Sequence, residues 1–295
     1  MSPAAPATLN DWLAYIEQQH TQAIKLGLDR LFVVKATLKQ TQTCPVIIVG
    51  GTNGKGSTCA MLEAILTAAG YRVGLYTSPH LLHYNERVRV NGRPVSDEAL
   101  CIAFAKVEQA HGDVPLTYFE FGTLGAWEVF AAAGLDAIIL EVGLGGRLDA
   151  VNIYEPDCAI VTGIDLDHMD FLGDTREKIA FEKAGIFRTG KPAICGDFHV
   201  PHTLLDHAQA IGAELQLIGR DFGYETQTET RQWTWWGRNN ARRGGLAHPA
   251  LRGGRQLGNA SGVLAALDTL QDRLPLSMAE IRQGLATVEL AGRFQ

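Results

Sequence analysis

With 295 residues, 46% of them hydrophobic and 20% charged, the chain can bury a large core, as one sizeable α/β unit or two smaller ones. A net charge of -6 argues against a general nucleic-acid binder, whose affinity comes from neutralising phosphates, but leaves room for a local anion site. The five cysteines, Cys44, Cys59, Cys101, Cys158 and Cys195, are odd in number and widely spaced, and no signal-peptide pattern or run of membrane-spanning length occurs. Buried thiols in a cytoplasmic protein with no membrane partner are therefore expected.

Residues 1–8 read as a small Pro/Ala-rich flexible tail. Residues 9–26 have helical spacing, with Trp12, Leu13, Ile16 and Ile24 on one face and Asn10 or Asp11 as N-cap, and residues 27–30 break the pattern. The apolar run 46–49 then opens into Gly50, Gly51, Thr52, Asn53, Gly54, Lys55, Gly56, Ser57 and Thr58. A buried strand, a glycine turn with one lysine and the start of a helix together predict a phosphate loop. Glycines accept positive φ and expose backbone N–H groups to an anion, and the helix adds its positive end. The spacing departs from the usual GxxxxGK[ST], because Val49 takes the first glycine position and Gly56 separates lysine from hydroxyl, so a ligand-free glycine turn stays open as the alternative. Met61, Leu62, Ile65 and Leu66 continue the helix, Gly70 ends it, and residues 73–76 form the next strand, leading to Thr77, Ser78, Pro79 and His80 where α/β proteins place ligands.

Residues 86–95 alternate about Asn91-Gly92, a hairpin signal, and Ser96 opens a helix through about residue 110. A further helix follows Thr117, Tyr118, Phe119, Glu120 and Phe121. The buried-type run 137–142 carries a single carboxylate, Glu141, before Gly143, Leu144, Gly145, Gly146 and Arg147. An acid at a strand end is what a phosphate-loop enzyme uses to hold Mg²⁺, with a solvated strand end as the bland reading, while the glycines do not complete a dinucleotide fingerprint. The strand 158–162 runs into Asp165, Asp167, His168 and Asp170, from which two metal ligands could come, although a lone histidine is usually structural. A helix over 176–186 bears Lys178, Glu182 and Lys183, and 192–195 is another strand. Strands alternating with helices predict a doubly wound, mostly parallel sheet of P-loop NTPase type.

From about 215 to 256 the texture becomes a β-ribbon and loop region with three tryptophans and many arginines, read as a surface hairpin at the sheet edge rather than a single-stranded nucleic-acid site. Helices over 259–270 and 277–286 complete the chain before Gly292, Arg293, Phe294 and Gln295.

Taken together, Gly51-Thr-Asn-Gly-Lys-Gly-Ser-Thr58, Ser78-Pro79-His80, the 140–149 segment Leu-Glu-Val-Gly-Leu-Gly-Gly-Arg-Leu-Asp, Leu166-Asp167-His168, Glu182-Lys183-Ala184-Gly185-Ile186 and the closing Gly-Arg-Phe-Gln resemble the bacterial bifunctional dihydrofolate synthase/folylpolyglutamate synthases of the Mur ligase superfamily. The resemblance covers nearly the whole chain. It implies that Thr52, Asn53, Gly54, Lys55, Gly56 and Ser57 bind ATP phosphates, with Asn259 and Arg293 nearer the nucleotide. It implies Mg²⁺ on Ser78, Glu141, His168 and a Lys183 carboxylated to a carbamate, with Lys55, Lys183 and His168 serving catalysis. Thr117, Tyr118, Phe119 and Glu120 with Leu148, Asp149 and Ala150 match the segments that bind dihydropteroate. The other implied substrates are reduced folates and L-glutamate, and a monomer is expected. Family chains continue into a C-terminal glutamate-binding domain that is not in these 295 residues, so the sequence looks like the ATP-binding domain, inactive in ligation by itself. A P-loop kinase or regulatory NTPase is the alternative, sharing the loop and Glu141 but having no use for Lys183 or the dihydropteroate segments. A non-catalytic binding module using the Trp/Arg stretch is a second rival.

Overall fold

A computed structural model describes residues 6–20, 25–227 and 232–290. Two helices lead in, α1 (Leu9–Gln18) and α2 (Asp29–Leu38). Thr8 caps α1 in a reciprocal pair with Asp11, so the N-cap is neither Asn10 nor Asp11 and the expected tail does not extend to Thr8. Ile24 lies outside the described residues. Residues 27–30 do not simply break a helix, because Asp29 already begins α2, whose Leu31 and Val34 are fully buried.

The continuous apolar runs become parallel strands largely buried on both faces, β1 (Val46–Gly50), β2 (Val73–Tyr76), β5 (Ala137–Glu141), β6 (Cys158–Val161) and β7 (Pro192–Cys195), and the partly exposed β8 (Glu214–Leu217) adds to them in parallel at the edge. The Asn91-Gly92 turn, with both residues at positive φ, joins β3 (Val88–Val90) to β4 (Arg93–Pro94), and β3 pairs antiparallel with β2. The eight-stranded order is β4-β3-β2-β5-β1-β6-β7-β8, with β1 flanked by β5 and β6. At one edge lies the two-residue β4. At the other, Arg238 Nη2 donates to the Leu215 carbonyl (2.8 Å) and the Leu217 N–H to Asp221 (2.8 Å).

Strand side chains alternate between two cores. Val46, Ile48, Leu140 and Val161 face α1, α2, α4 (Asp97–His111), α5 (Tyr118–Ala133), α7 (Arg176–Ala184) and α8 (His202–Ile211), with the single turn α6 (Met169–Leu172) beside them. Ile47, Val49, Ile139 and Ile160 face α3 (Lys55–Ala68), α9 (Gln256–Thr269) and α10 (Met278–Thr287). Because α3 is enclosed by the sheet, α9 and α10, it is buried around most of its circumference rather than along one stripe. In α10, Gly284 lies so close to α3 that a Cβ there would stand 2.5 Å from Ile65 Cα.

Residues 214–217 belong to the main parallel sheet, paired with β7, so the ribbon begins later. The ribbon itself is a three-stranded antiparallel sheet of β9 (Gly223–Gln227), β10 (Gln232–Trp236) and β11 (Arg242–Ala247), not a surface hairpin. Alternation along β10 turns Trp233 and Trp235 inward, to 0% and 1% exposure, and the Trp235 indole donates to the Ser261 carbonyl of α9. Those two rings are sealed in a core and present no stacking surface for nucleic acid.

Candidate active site

The centre of the site is the turn from β1 into α3. Gly51 and Gly54 hold φ of 141° and 94°, and a side chain on Gly54 would meet Asn259 Oδ1 at 2.6 Å. Glycine is thus demanded twice, by backbone conformation and by the close approach of α9. The Thr52 N–H donates to Gly163 O (2.6 Å), its hydroxyl donates to Asp165 O and accepts the Asp165 N–H, and Thr162 Oγ1 donates to Asn53 O (2.7 Å). The loop is therefore tied to the segment leaving β6. Lys55 opens α3, and its ammonium donates to Gly51 O (3.0 Å) and Thr52 O (3.3 Å), curled over the loop's own backbone. Ser57 is fully buried and accepts from Gln256 Nε2 (3.3 Å), which links α9 to the loop a second time. Arg293 lies outside the described residues.

Glu141, at the end of β5 and 5% exposed, accepts the Ser78 N–H at 3.1 Å, and a Cβ on Gly56 would stand 3.9 Å from its Oε1. The ends of β2 and β5 thereby meet the start of α3. Lys183 arrives from α7, which lies directly on the 143–147 turn: the Arg147 N–H donates to Glu182 O (2.7 Å), and a Cβ on Gly146 would be 2.8 Å from that oxygen. The glycines after Glu141 therefore admit a helix, which agrees with giving them no dinucleotide role. Lys183 is 2% exposed, and burial together with the nearby Lys55 charge pushes its amine down to about 8, with Asp167 and Asp149 opposing. Burial drives the Asp149 carboxyl up to about 6, although Leu144 and Val151 N–H groups donate to it.

The 165–170 cluster is looser than its sequence suggests. Asp165, His168 and Asp170 are exposed, His168 takes φ 46° and ψ 46°, and its Nε2 stands 3.7 Å from Asp167 Oδ1. Among the described residues, no group of three or more His, Cys, Asp and Glu side chains is gathered for a metal ion. The acidic cluster does not form a metal centre by itself; His168 instead faces Ser78 across a cavity.

That cavity, about 310 Å³, is lined by Ser78, Thr117, Phe119, Glu120, Leu148, Asp149, Ala150 and His168, so the expected dihydropteroate segments do converge. Tyr118 is not among its lining residues; its ring packs 5.9 Å from Tyr84, with the Arg87 guanidinium 5.8 Å away. Phe119 stacks on Tyr76 at 5.9 Å, and Thr117 and Glu120 form the reciprocal cap of α5. A second cavity of about 500 Å³ touches the phosphate loop at Asn53 and includes Thr162, Arg176, Asp197, Tyr224, Arg255 and Asn259. Sequence reading missed Lys25, Leu26 and Arg87 in the first cavity and Arg176, Asp197, Tyr224 and Arg255 in the second. For Arg87 the alternating pattern was a signal of a hairpin only; the others come together through tertiary packing.

The Mur ligase middle domain family matches residues 49–196. The dihydrofolate synthase/folylpolyglutamate synthase of Escherichia coli K12 is 48% identical over 295 residues, covering 100% of this chain and 68% of the relative. The chain belongs to this family of Mur-type ligases. Among solved synthases, E. coli FolC in complex with DHPP and ADP superposes with a TM-score of 0.94 at 47% identity, over 100% of this chain and 69% of that one. A bifunctional folylpolyglutamate synthase/dihydrofolate synthase with Mn, AMPPNP and L-glutamate bound gives 0.91 at 46% identity, over 100% and 70%. This synthase chain thus spans about two thirds of the length of the relatives it matches. Its eight-stranded sheet, with one antiparallel edge and a separate small sheet, is the synthase architecture. Among the described residues no helix is long and apolar enough to cross a membrane.

Proposed function

We propose that these residues form the nucleotide and dihydropteroate half of an ATP-dependent ligase that joins L-glutamate to dihydropteroate and extends reduced folates with further glutamates. The observation that carries this reading is the placement of two lysines. Lys55 lies over the phosphate loop, and Lys183 is buried within its electrostatic reach on α7, the helix that packs on the turn following Glu141. A kinase or regulatory NTPase would have no use for a buried second lysine or for the convergent 117–120 and 148–150 segments.

In this reading the γ-phosphoryl of ATP moves to the carboxylate of dihydropteroate: the carboxylate oxygen bonds to phosphorus, the bond to the bridging oxygen breaks, and ADP leaves. The amine of glutamate then attacks the acyl carbon, losing a proton, and inorganic phosphate departs. Activation is needed because an unmodified carboxylate would have to expel oxide. The loop amides and Lys55 stabilise charge on the transferring group, which is where phosphoryl-transfer catalysis resides. Asn259 and Arg293 serve the nucleotide, and Phe119 with Asp149 the pterin side.

Ser78 and Glu141 offer the oxygen ligands that Mg²⁺, a hard cation, takes, and His168 would add an imidazole nitrogen; the set fits the ion with Lys183 as an anion rather than an ammonium. A buried amine whose basicity is depressed carries a substantial neutral fraction near pH 7.5. The neutral amine can form an N–C bond to carbon dioxide and lose a proton to solvent, which would put an anionic oxygen ligand in place of a repelled cation. Mg²⁺ bound there supplies charge neutralisation for the phosphates.

The same reading makes the enzyme cytoplasmic and monomeric. The first is supported by five free cysteines, four of them buried, and the second is open to sedimentation analysis. Two measurements test the whole. Calorimetric titration with MgATP should show tight binding that Lys55→Ala weakens at least tenfold without loss of fold; equal affinity in the variant removes the phosphate-loop assignment. The 295 residues by themselves should form no dihydrofolate from dihydropteroate, glutamate and MgATP, because they span about two thirds of the relatives' length, amine placement and water exclusion fall in this reading to the remaining third, and lost positioning can cost a factor on the order of 10⁵ or more. Turnover at the rate of the longer family enzymes would overturn that division of labour.

A further inference from the structure

The geometry points to Arg30 as a positioning residue for the dihydropteroate cavity, acting from behind its wall; the inference rests on the assignment of that cavity made above. Arg30 is not among the lining residues. It sits in the first turn of α2, and its Nη2 donates both to the Lys25 carbonyl (3.1 Å) and to Glu120 Oε1 (2.6 Å). Lys25 and Leu26 line one part of the cavity, Thr117, Phe119 and Glu120 another. One terminal nitrogen therefore joins two stretches of wall that are distant in the chain.

The remaining contacts show why the joint is stiff. The Glu120 side chain is 5% exposed, and its other oxygen accepts the Thr117 N–H at 2.8 Å, so its two oxygens divide between helix cap and guanidinium. Rotating that carboxylate toward any other partner breaks the cap. The Arg30 side chain is itself only 17% exposed, and its Nε is buried without a hydrogen-bond partner. The guanidinium's directed contacts are thus those of its terminal nitrogen, to Lys25 and Glu120. Lysine offers a rotating ammonium in place of a planar fork and would not fix both acceptors in one geometry. Without a cation at this point, Glu120 is a buried carboxylate lacking its counter-ion, and the 25–26 stretch loses its tether to α5.

The test compares wild type, Arg30→Gln and Arg30→Lys, all as the 295-residue chain, by titrating dihydropteroate in the presence of MgADP and titrating MgADP alone. Hydrogen exchange of the backbone at residues 25–28 is followed in parallel. The expected result is a ten- to hundredfold loss of dihydropteroate affinity in Arg30→Gln, a smaller loss in Arg30→Lys, nucleotide affinity within twofold of wild type, and faster exchange at 25–28. Dihydropteroate affinity within twofold of wild type in both variants overturns the inference. So does an equal loss of both ligands in Arg30→Lys, since that marks general damage. Failure of the wild type to bind dihydropteroate would instead strike the assignment of the cavity.

Discussion

A buried lysine beside a second cation is a liability to the fold, and Lys183 shows the sign of that cost. Its amine titrates near 8 in the folded chain against 10.5 for the free side chain. Between those values the unfolded chain binds more protons, so stability rises as pH rises from about 8 to about 10.5 and the penalty is fully present below 8. A difference of that size corresponds to about 3 kcal/mol. Lys183→Met, of similar length and uncharged, should therefore raise Tm in metal- and bicarbonate-free buffer at pH 7 by roughly 2–8 °C. It should also flatten the alkaline rise in stability and weaken Mn²⁺ binding at least tenfold. A variant less stable than wild type at pH 7 would mean that the amine is better partnered than its surroundings indicate. The Asp149 carboxyl has the opposite dependence: raised to about 6, it binds its proton more readily folded than unfolded, and its contribution falls as pH climbs from about 4 to 6.

At the scale of elements, the close crossing of α3 and α10 joins the phosphate loop to the C-terminal part of the described chain. Gly284→Ala would push a methyl against the Ile65 backbone, which no rotamer can avoid, and should lower stability by about 1–3 kcal/mol, measured from the urea midpoint. An unchanged midpoint would show that the helices can separate freely. Legibility in the sequence also sorts by element. Strands β1, β2, β5 and β7 are readable because apolar runs end in glycine, proline or a carboxylate, and α4 and α10 because Ser96 and Ser277 are capping residues followed by apolar spacing; α5 begins at Tyr118 rather than after Phe121, because Thr117 caps it in a reciprocal pair with Glu120. Helix α2 was missed because Phe32 and Val33 are exposed beside buried Leu31 and Val34, which blurs the helical stripe. Strand β8 was joined to the ribbon because Leu215 and Leu217 alternate with polar residues, as an edge strand does. Of the site, the loop and Glu141 carry local signals, whereas Asp149 and Lys183 are marked only by the resemblance to the synthase family. Arg176, Asp197 and Tyr224 converge from three distant elements, and nothing in the sequence near any of them marks a cavity.

Over the whole molecule, the chemistry gathers at the carboxyl ends of β1, β2, β5, β6 and β7, as an open parallel sheet requires, and the two cores hold those ends in register. Such a sheet has two open sides, each a template on which a second copy could add a strand. Neither side is left available here. In β4, Pro94 has no N–H to offer, and the strand is only two residues long. Along β8, the Arg238 guanidinium takes the Leu215 carbonyl and Asp221 takes the Leu217 N–H, so the groups that would pair with an incoming chain are already engaged by side chains. These contacts guard colloidal behaviour rather than catalysis. Replacing Arg238 and Asp221 together by alanine should leave MgATP affinity within about twofold, since neither residue lines the nucleotide cavity, while light scattering at tens of micromolar protein on mild warming rises well before the wild type's. Scattering no greater than wild type would show that the edge is protected in some other way. The separate three-stranded sheet then has a second use: through the turn at Arg238 and the loop at Asp221, it keeps a catalytic domain from becoming the seed of its own aggregate.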